Sequence, residues 1–365
     1  MVGTATNYVK SDFGLNNTIA NVLPMMVFFW FFIFSVPTGV LMGKIGRRKT
    51  VLLSLVVTFL ALLVPVISYT YITMLISFSL LGIGNTLMQV SLNPLLSSIV
   101  TGEKLASSLT LGQFVKALAS ALAPLLAPIF AQSELFGYDW KVLYPIFMVI
   151  SILAVLWLGM TSIPEQSEDS KGATFGQCFK LLGNSTIFLC FLGIMCHVGI
   201  DVGVNTTAPR ILMERLGLDD PNHVAYATLV YFIFRTIGCF SGTFLLAHFA
   251  AKKVFVVSVV LMIVSMLGFF IFDNEVAICI SIALVGLGNS NIFPVIFSNA
   301  LLYMPDKKNE VSGLMIMGLV GGAIFPFIMG LATDAISSQA GALIVLSLGV
   351  LYLFFFSSKL KQSVK

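Results

Sequence analysis

Long apolar runs recur along the whole chain, separated by short polar segments, and each is long enough to cross a bilayer as a helix of about 20 residues. They fall at 19–43, 50–70, 72–100, 108–131, 141–163, 184–207, 224–249, 253–273, 276–303, 311–333 and 338–358, eleven complete spans. Polar positions inside these runs are few, so those that occur stand out. In the run at 276–303 the order Gly286-Leu287-Gly288-Asn289-Ser290-Asn291-Ile292-Phe293-Pro294 puts amides and a proline where hydrocarbon is expected. About 204 residues earlier stands Gly82-Ile83-Gly84-Asn85, followed by Gln89, Asn93 and Pro94. Each copy places Gly-x-Gly-Asn ahead of a proline that interrupts the helix ladder, which predicts two equivalent helices facing a polar cavity, as in a membrane transporter.

Other segments repeat at nearly the same offset. Gly39 to Lys49 aligns with Gly242 to Lys252 at 203, and Ala123-Pro124 with Phe325-Pro326 at 202. Two halves of six helices follow: an N-terminal bundle over 1–163, a cytoplasmic linker over 164–183 and a C-terminal bundle over 184–365. On this register the first residues are the end of helix one, so most of that helix is expected to be missing, by truncation or a mis-called start. The expected fold is thus an all-α membrane protein.

Charge supplies the orientation. The loops on one side carry Lys44, Arg47, Arg48, Lys49, Lys104, Lys171, Lys180, Lys252, Lys253, Lys307, Lys308, Lys359, Lys361 and Lys365, against Lys10, Lys141, Arg210 and Arg215 on the other. Fourteen to four places the first set, the linker and the C-terminus in the cytoplasm. The composition agrees: 58% of residues are hydrophobic and 10% charged, against roughly a quarter charged in soluble domains. The net charge of +4 therefore reflects basic loops beside a lipid bilayer and not a nucleic-acid partner. Five scattered cysteines lack the spacing of a metal site, and no cofactor is called for. A P-loop, HExxH and GxSxG are all absent, so neither ATP-driven transport nor an enzyme has support.

Three polar sets remain inside the spans. His197, Asp201 and Asn205 recur at i, i+4 and i+8 on one helical face, and Asn85, Gln89 and Asn93 do the same. Asn289 and Asn291 form the third. Uncharged amides offer donors and acceptors to a polyhydroxylated ligand, or hold helices together. Asp201 at mid-bilayer needs a proton or a cation, and the available cations are Lys116 and Arg235; it is either a proton or substrate site, or half of an ion pair. Trp30, Phe34, Tyr231 and Phe293 are aromatic candidates for stacking on a ring.

The basic Gly43-Lys44-Ile45-Gly46-Arg47-Arg48-Lys49 loop resembles that of the major facilitator superfamily. More specifically, Asn289-Ser290-Asn291-Ile292-Phe293-Pro294-Val295-Ile296-Phe297-Ser298 is similar to the FNSIMFPTIFS pattern of the fucose and glucose/galactose proton symporters. Val198-Gly199-Ile200-Asp201-Val202 resembles that family's VGAEV, Gln89 to Pro94 its QVAANP, and Gly321-Gly322-Ala323-Ile324-Phe325-Pro326 its GGAxxP. The resemblance implies a major facilitator fold and a secondary active, proton-coupled uptake of a monosaccharide of the fucose, glucose or galactose type, by a monomer in the inner (plasma) membrane. It also implies that Gly43, Arg47, Arg48 and Lys49 gate the transporter, with Glu310 as a counter-charge, and it matches Arg235 to a family arginine. Gln89 is an amide as in the glucose/galactose branch, and the family's helix-one carboxylate falls before Met1. A substrate-binding sensor, or a relic that no longer transports, is the alternative.

Overall fold

A computed structural model describes residues 2–15, 17–100, 102, 104–133, 140–163, 174–217 and 226–360. No strand occurs among them. The α-helices are α1 (Val2–Asp12), α2 (Asn17–Ile45), α3 (Arg47–Ile67), α4 (Tyr71–Ile99), α5 (Lys104–Ser133), α6 (Leu143–Met160), α7 (Phe175–Lys180), α8 (Ser185–Leu216), α9 (Tyr226–His248), α10 (Ala251–Ile271), α11 (Glu275–Asn289), α12 (Ile292–Tyr303), α13 (Lys308–Met317), α14 (Gly321–Ile336) and α15 (Ala340–Lys359). Ten stretches among the described residues are apolar and long enough to span a membrane, and they make this a multi-pass membrane protein. The eleventh expected span falls on α5, 30 residues long. With 11 residues, α1 rises only about 16 Å and is too short to cross.

By packing, the chain forms two compact units. The first comprises Met1–Ile99, Ala119–Leu181 and Asp306–Met317; the second comprises Val100–Leu118, Leu182–Pro305 and Gly318–Lys365. Against the halves expected from sequence, two short segments change sides. They occupy the same place in the repeat, since α5 and α13 begin at Lys104 and Lys308, 204 residues apart.

Within the first unit, glycine lets helices approach until backbones touch. A methyl at Gly82 would lie 2.9 Å from the Cα of Val27, and one at Gly84 would lie 3.3 Å from the carbonyl of Ser54. The second unit repeats this contact for contact. A methyl at Gly286 would lie 2.7 Å from the carbonyl of Tyr231, and one at Gly288 2.5 Å from that of Ser258. Every one of these positions is displaced by 204 residues from its counterpart. The internal repeat is thus a repeated packing frame.

Prolines free carbonyls inside several helices, because each lacks the N–H that would bond the residue four places back. In hydrocarbon such a carbonyl must find another donor. Ser77 Oγ donates to Ala61 below Pro65 at 2.7 Å, and Ser312 Oγ to Val90 below Pro94 at 2.6 Å. In the second unit Thr228 Oγ1 serves Asn205 below Pro209 at 3.4 Å, and Cys239 Sγ serves Ser290 below Pro294 at 3.6 Å. The prolines in the two helices expected to be equivalent differ in their effect. Pro94 follows Asn85 by nine residues and leaves α4 continuous, whereas Pro294 follows Asn289 by five and the span breaks there into α11 and α12.

Candidate functional site

The polar residues of the second unit meet around Asp201. This residue and His197 share one face of α8, and Tyr231 and Arg235 stand one turn apart on α9. Arg235 Nη1 donates to both carboxylate oxygens at 2.7 Å. Tyr231, fully buried, donates its hydroxyl to Asp201 Oδ1. The same hydroxyl oxygen accepts from Asn289 Nδ2 at 3.1 Å. Asn289 also donates to the carbonyl of His197 at 3.3 Å, and its Oδ1 lies 2.7 Å from His197 Nδ1. These roles admit one proton arrangement. Tyr231 spends its only proton on the carboxylate, so the amide nitrogen must face it, the amide oxygen faces the imidazole, and His197 carries a proton on Nδ1.

The carboxylate thus accepts from both a guanidinium and a phenol hydroxyl, and the bonds to the guanidinium are charge-assisted. The pair is nonetheless reachable: the side chains of Asp201 and Arg235 each keep 18% of their surface accessible. Arg235 Nε and Asn205 Oδ1 are buried without a partner among the described residues, while Asn205 Nδ2 turns back to the carbonyl of Asp201 at 2.7 Å. On α5, Ser107 Oγ donates to the carbonyl of Thr243 at 2.7 Å and Phe114 lies 5.2 Å from Phe240. Further along α5, the charge of Lys116 acts on both Arg235 and Asp201.

Asn291, expected beside a ligand, lies 5% exposed against α9. Its Nδ2 donates to Gly238 O at 3.4 Å and to Ser290 Oγ at 3.0 Å, and a methyl at Gly242 would lie 1.8 Å from its Oδ1. It holds the helix break to its neighbour. Tyr231 and Phe293 are likewise core residues with no ring face open to a ligand; Phe293 packs 6.0 Å from His197 and 5.2 Å from Phe297. Tyr231, an aromatic candidate for stacking, joins the polar set through its hydroxyl instead. The i, i+4 spacing from Tyr231 to Arg235 was the available signal.

In the first unit the amides of α4 form a single file. Asn93 Nδ2 donates to the carbonyl of Gln89 at 3.0 Å, and Gln89 Nε2 to Asn85 Oδ1 at 3.2 Å. Asn85 is exposed, Gln89 half-buried and Asn93 buried. The basic loop belongs to this unit too. Gly46 takes φ 90°, a conformation suited to glycine, between α2 and α3. Arg47 Nε then reaches Asn309 Oδ1 at 2.7 Å, beside Glu310 at the start of α13, and Lys308 Nζ reaches the carbonyl of Ser97 at 3.2 Å. Arg48 caps the end of α6, with 2.7 Å from Nη2 to the carbonyl of Gly159. Gly43 has open space at its Cα, and Lys49 is exposed. Nearby, Cys178 of α7 is buried. Burial, and after it the charge of Glu310, pushes its thiol up to about 11.

The family model for the Major Facilitator Superfamily matches residues 1–318. A glucose/galactose transporter of Brucella abortus biovar 1 (strain 9-941) is 27% identical over 348 residues, covering 90% of this chain and 82% of the relative. The L-fucose-proton symporter of Escherichia coli (strain K12) is 22% identical over 386 residues, covering 95% and 86%. Among solved structures, the transporter FucP in the outward conformation superposes with a TM-score of 0.87 at 20% identity, covering 99% of this chain and 96% of that one. The proton:xylose symporter XylE superposes at 0.76 with 14% identity, covering 99% and 92%.

Proposed function

From the premise that the chain belongs to the major facilitator superfamily, we propose that it is a secondary active transporter that takes up a monosaccharide together with a proton. The named relatives support the substrate class, being a glucose/galactose transporter and an L-fucose-proton symporter. The single observation that carries the coupling is the Asp201–Arg235 pair, charged, partly accessible and set in the middle of a membrane span.

Coupling follows from the charge states. With Asp201 ionised, Arg235 is held by the carboxylate and the pair is neutral as a whole. A proton on Asp201 weakens that hold, and the guanidinium, whose Nε has no partner among the described residues, turns its donors to sugar hydroxyls. Loss of the proton re-forms the pair and competes the sugar away. Sugar and proton therefore favour the same state. The amide file Asn85, Gln89 and Asn93 supplies the uncharged donors and acceptors that fit a neutral polyol. The two repeats over 1–163 and 184–365, joined by 164–183, form a monomer in the inner membrane with its C-terminus in the cytoplasm. The test is uptake of a panel of labelled hexoses and deoxyhexoses into proteoliposomes. Accumulation of one of them only with an imposed inward proton gradient is expected; equal uptake of every sugar with and without the gradient would remove the proposal.

A further inference from the structure

We infer that Tyr231 and Asn289 are positioning residues that carry the charge state of Asp201 to the break between α11 and α12. The inference rests on the reading of Asp201 as the proton site.

Donor and acceptor roles run in one direction along this chain of groups. It starts at the carboxylate, passes through the Tyr231 hydroxyl to Asn289 at 3.1 Å, and ends on the His197 ring at 2.7 Å. A protonated Asp201 is a poorer acceptor and a donor in its own right. Were it to donate to Tyr231, the hydroxyl would already receive from Asn289 and would have to place its own proton elsewhere. The amide can accept that proton only by turning over. Turning over sets its nitrogen against the protonated Nδ1 of His197, so the imidazole must change tautomer or move. One proton at Asp201 thus disturbs every bond to Asn289.

Asn289 is the last residue of α11, where the helix ladder stops. Beyond it, α9 holds the break by two weak contacts, Cys239 Sγ to the Ser290 carbonyl at 3.6 Å and Asn291 Nδ2 to the Gly238 carbonyl at 3.4 Å. The helix that presents Tyr231 and Arg235 to Asp201 is therefore the one that fastens the break. The fold itself does not require this chain of bonds. In the first repeat Val27 stands at the place of Tyr231, and Asn85, at the place of Asn289, is exposed and accepts only from Gln89 among the bonds described.

The charged and titratable groups around Asp201 are Arg235 and Tyr231 from α9, with Cys239 further along it, Lys116 from α5 and His197 on α8 itself. From α11 comes the uncharged Asn289. Tyr231→Phe keeps the ring and deletes one donor to the carboxylate, which makes its proton harder to remove. In proteoliposomes the external pH at half-maximal gradient-driven sugar uptake is expected to move up by about one unit. Asn289→Ala, which lets go of the tyrosine from the other side, is expected to move the midpoint by a smaller amount. An unchanged midpoint in Tyr231→Phe, or in Asn289→Ala should the first variant fail to fold by size exclusion, overturns the inference. Asp201→Asn serves as the control: if that protein still concentrates sugar, the proton-site reading itself has failed, whatever the tyrosine variant does.

Discussion

The two repeats share a frame and differ in what it holds. Gly82 and Gly84 admit α2 and α3, and Gly286 and Gly288 admit α9 and α10 at positions displaced by 204 residues. On that frame the second unit sets Tyr231, Arg235 and Asn289, and the first sets Val27, Phe31 and Asn85 in the same places. Val27 and Phe31 are buried apolar side chains, and the amide file of α4 is the polar feature left nearby. Duplication thus supplied two equivalent scaffolds, one of which sets Tyr231 and Arg235 where the other sets Val27 and Phe31. The division suits a symporter. The ionisable groups can change charge, whereas the α4 amides offer donors and acceptors that do not titrate.

The largest expected effect breaks the charged side of this comparison. Arg235→Met leaves the half-buried Asp201 without its cation and should cost about 3–5 kcal/mol, seen as a fall in the melting temperature of purified protein. Adding Asp201→Asn should recover most of that loss, and no recovery would show that Arg235 contributes by packing alone. The shared frame is tested next: Gly82→Ala and Gly286→Ala should each cost about 1–3 kcal/mol, and by similar amounts, because each methyl meets backbone. A clearly unequal pair of melting shifts would mean that the repeats do not bear load alike. Gln89→Ala should weaken sugar binding by about 1–3 kcal/mol with folding intact, as read by titration calorimetry; unchanged affinity would make the α4 file a structural feature only. The smallest effect concerns the region around α7. With its thiol raised by burial and by Glu310, Cys178 should label with maleimide at neutral pH at least about tenfold more slowly than in unfolded protein, as followed by mass spectrometry of the peptide. Equal rates would contradict the packing of α7.

Much of the frame was legible in the chain. Span lengths follow from hydrocarbon thickness, and the Gly-x-Gly-Asn copies identify the helices that pack by glycine. The exchange of 100–118 and 306–317 between the compact units was not legible, because hydrophobic periodicity says which face is buried and not against what. The two prolines misled for a related reason. They look alike in sequence, yet a shift of four residues decides whether the freed carbonyl lies within a continuous helix or at a break. At the site, the face of α8 bearing His197, Asp201 and Asn205 was readable from spacing. For the hydroxyl of Tyr231 the i, i+4 spacing to Arg235 marked the helix face, but not the partners, which lie 30 and 58 residues away and are joined only by tertiary packing.

The central claim is that Asp201 carries the coupled proton. It is tested most directly by Asp201→Asn in proteoliposomes, with sugar counterflow and gradient-driven accumulation measured on the same preparation. A neutral side chain imitates the protonated state and cannot release a proton, so counterflow should persist while accumulation along a pH gradient falls to the level of protein-free vesicles. An Asp201→Asn protein that folds normally and still concentrates sugar when a proton gradient is imposed would contradict the account.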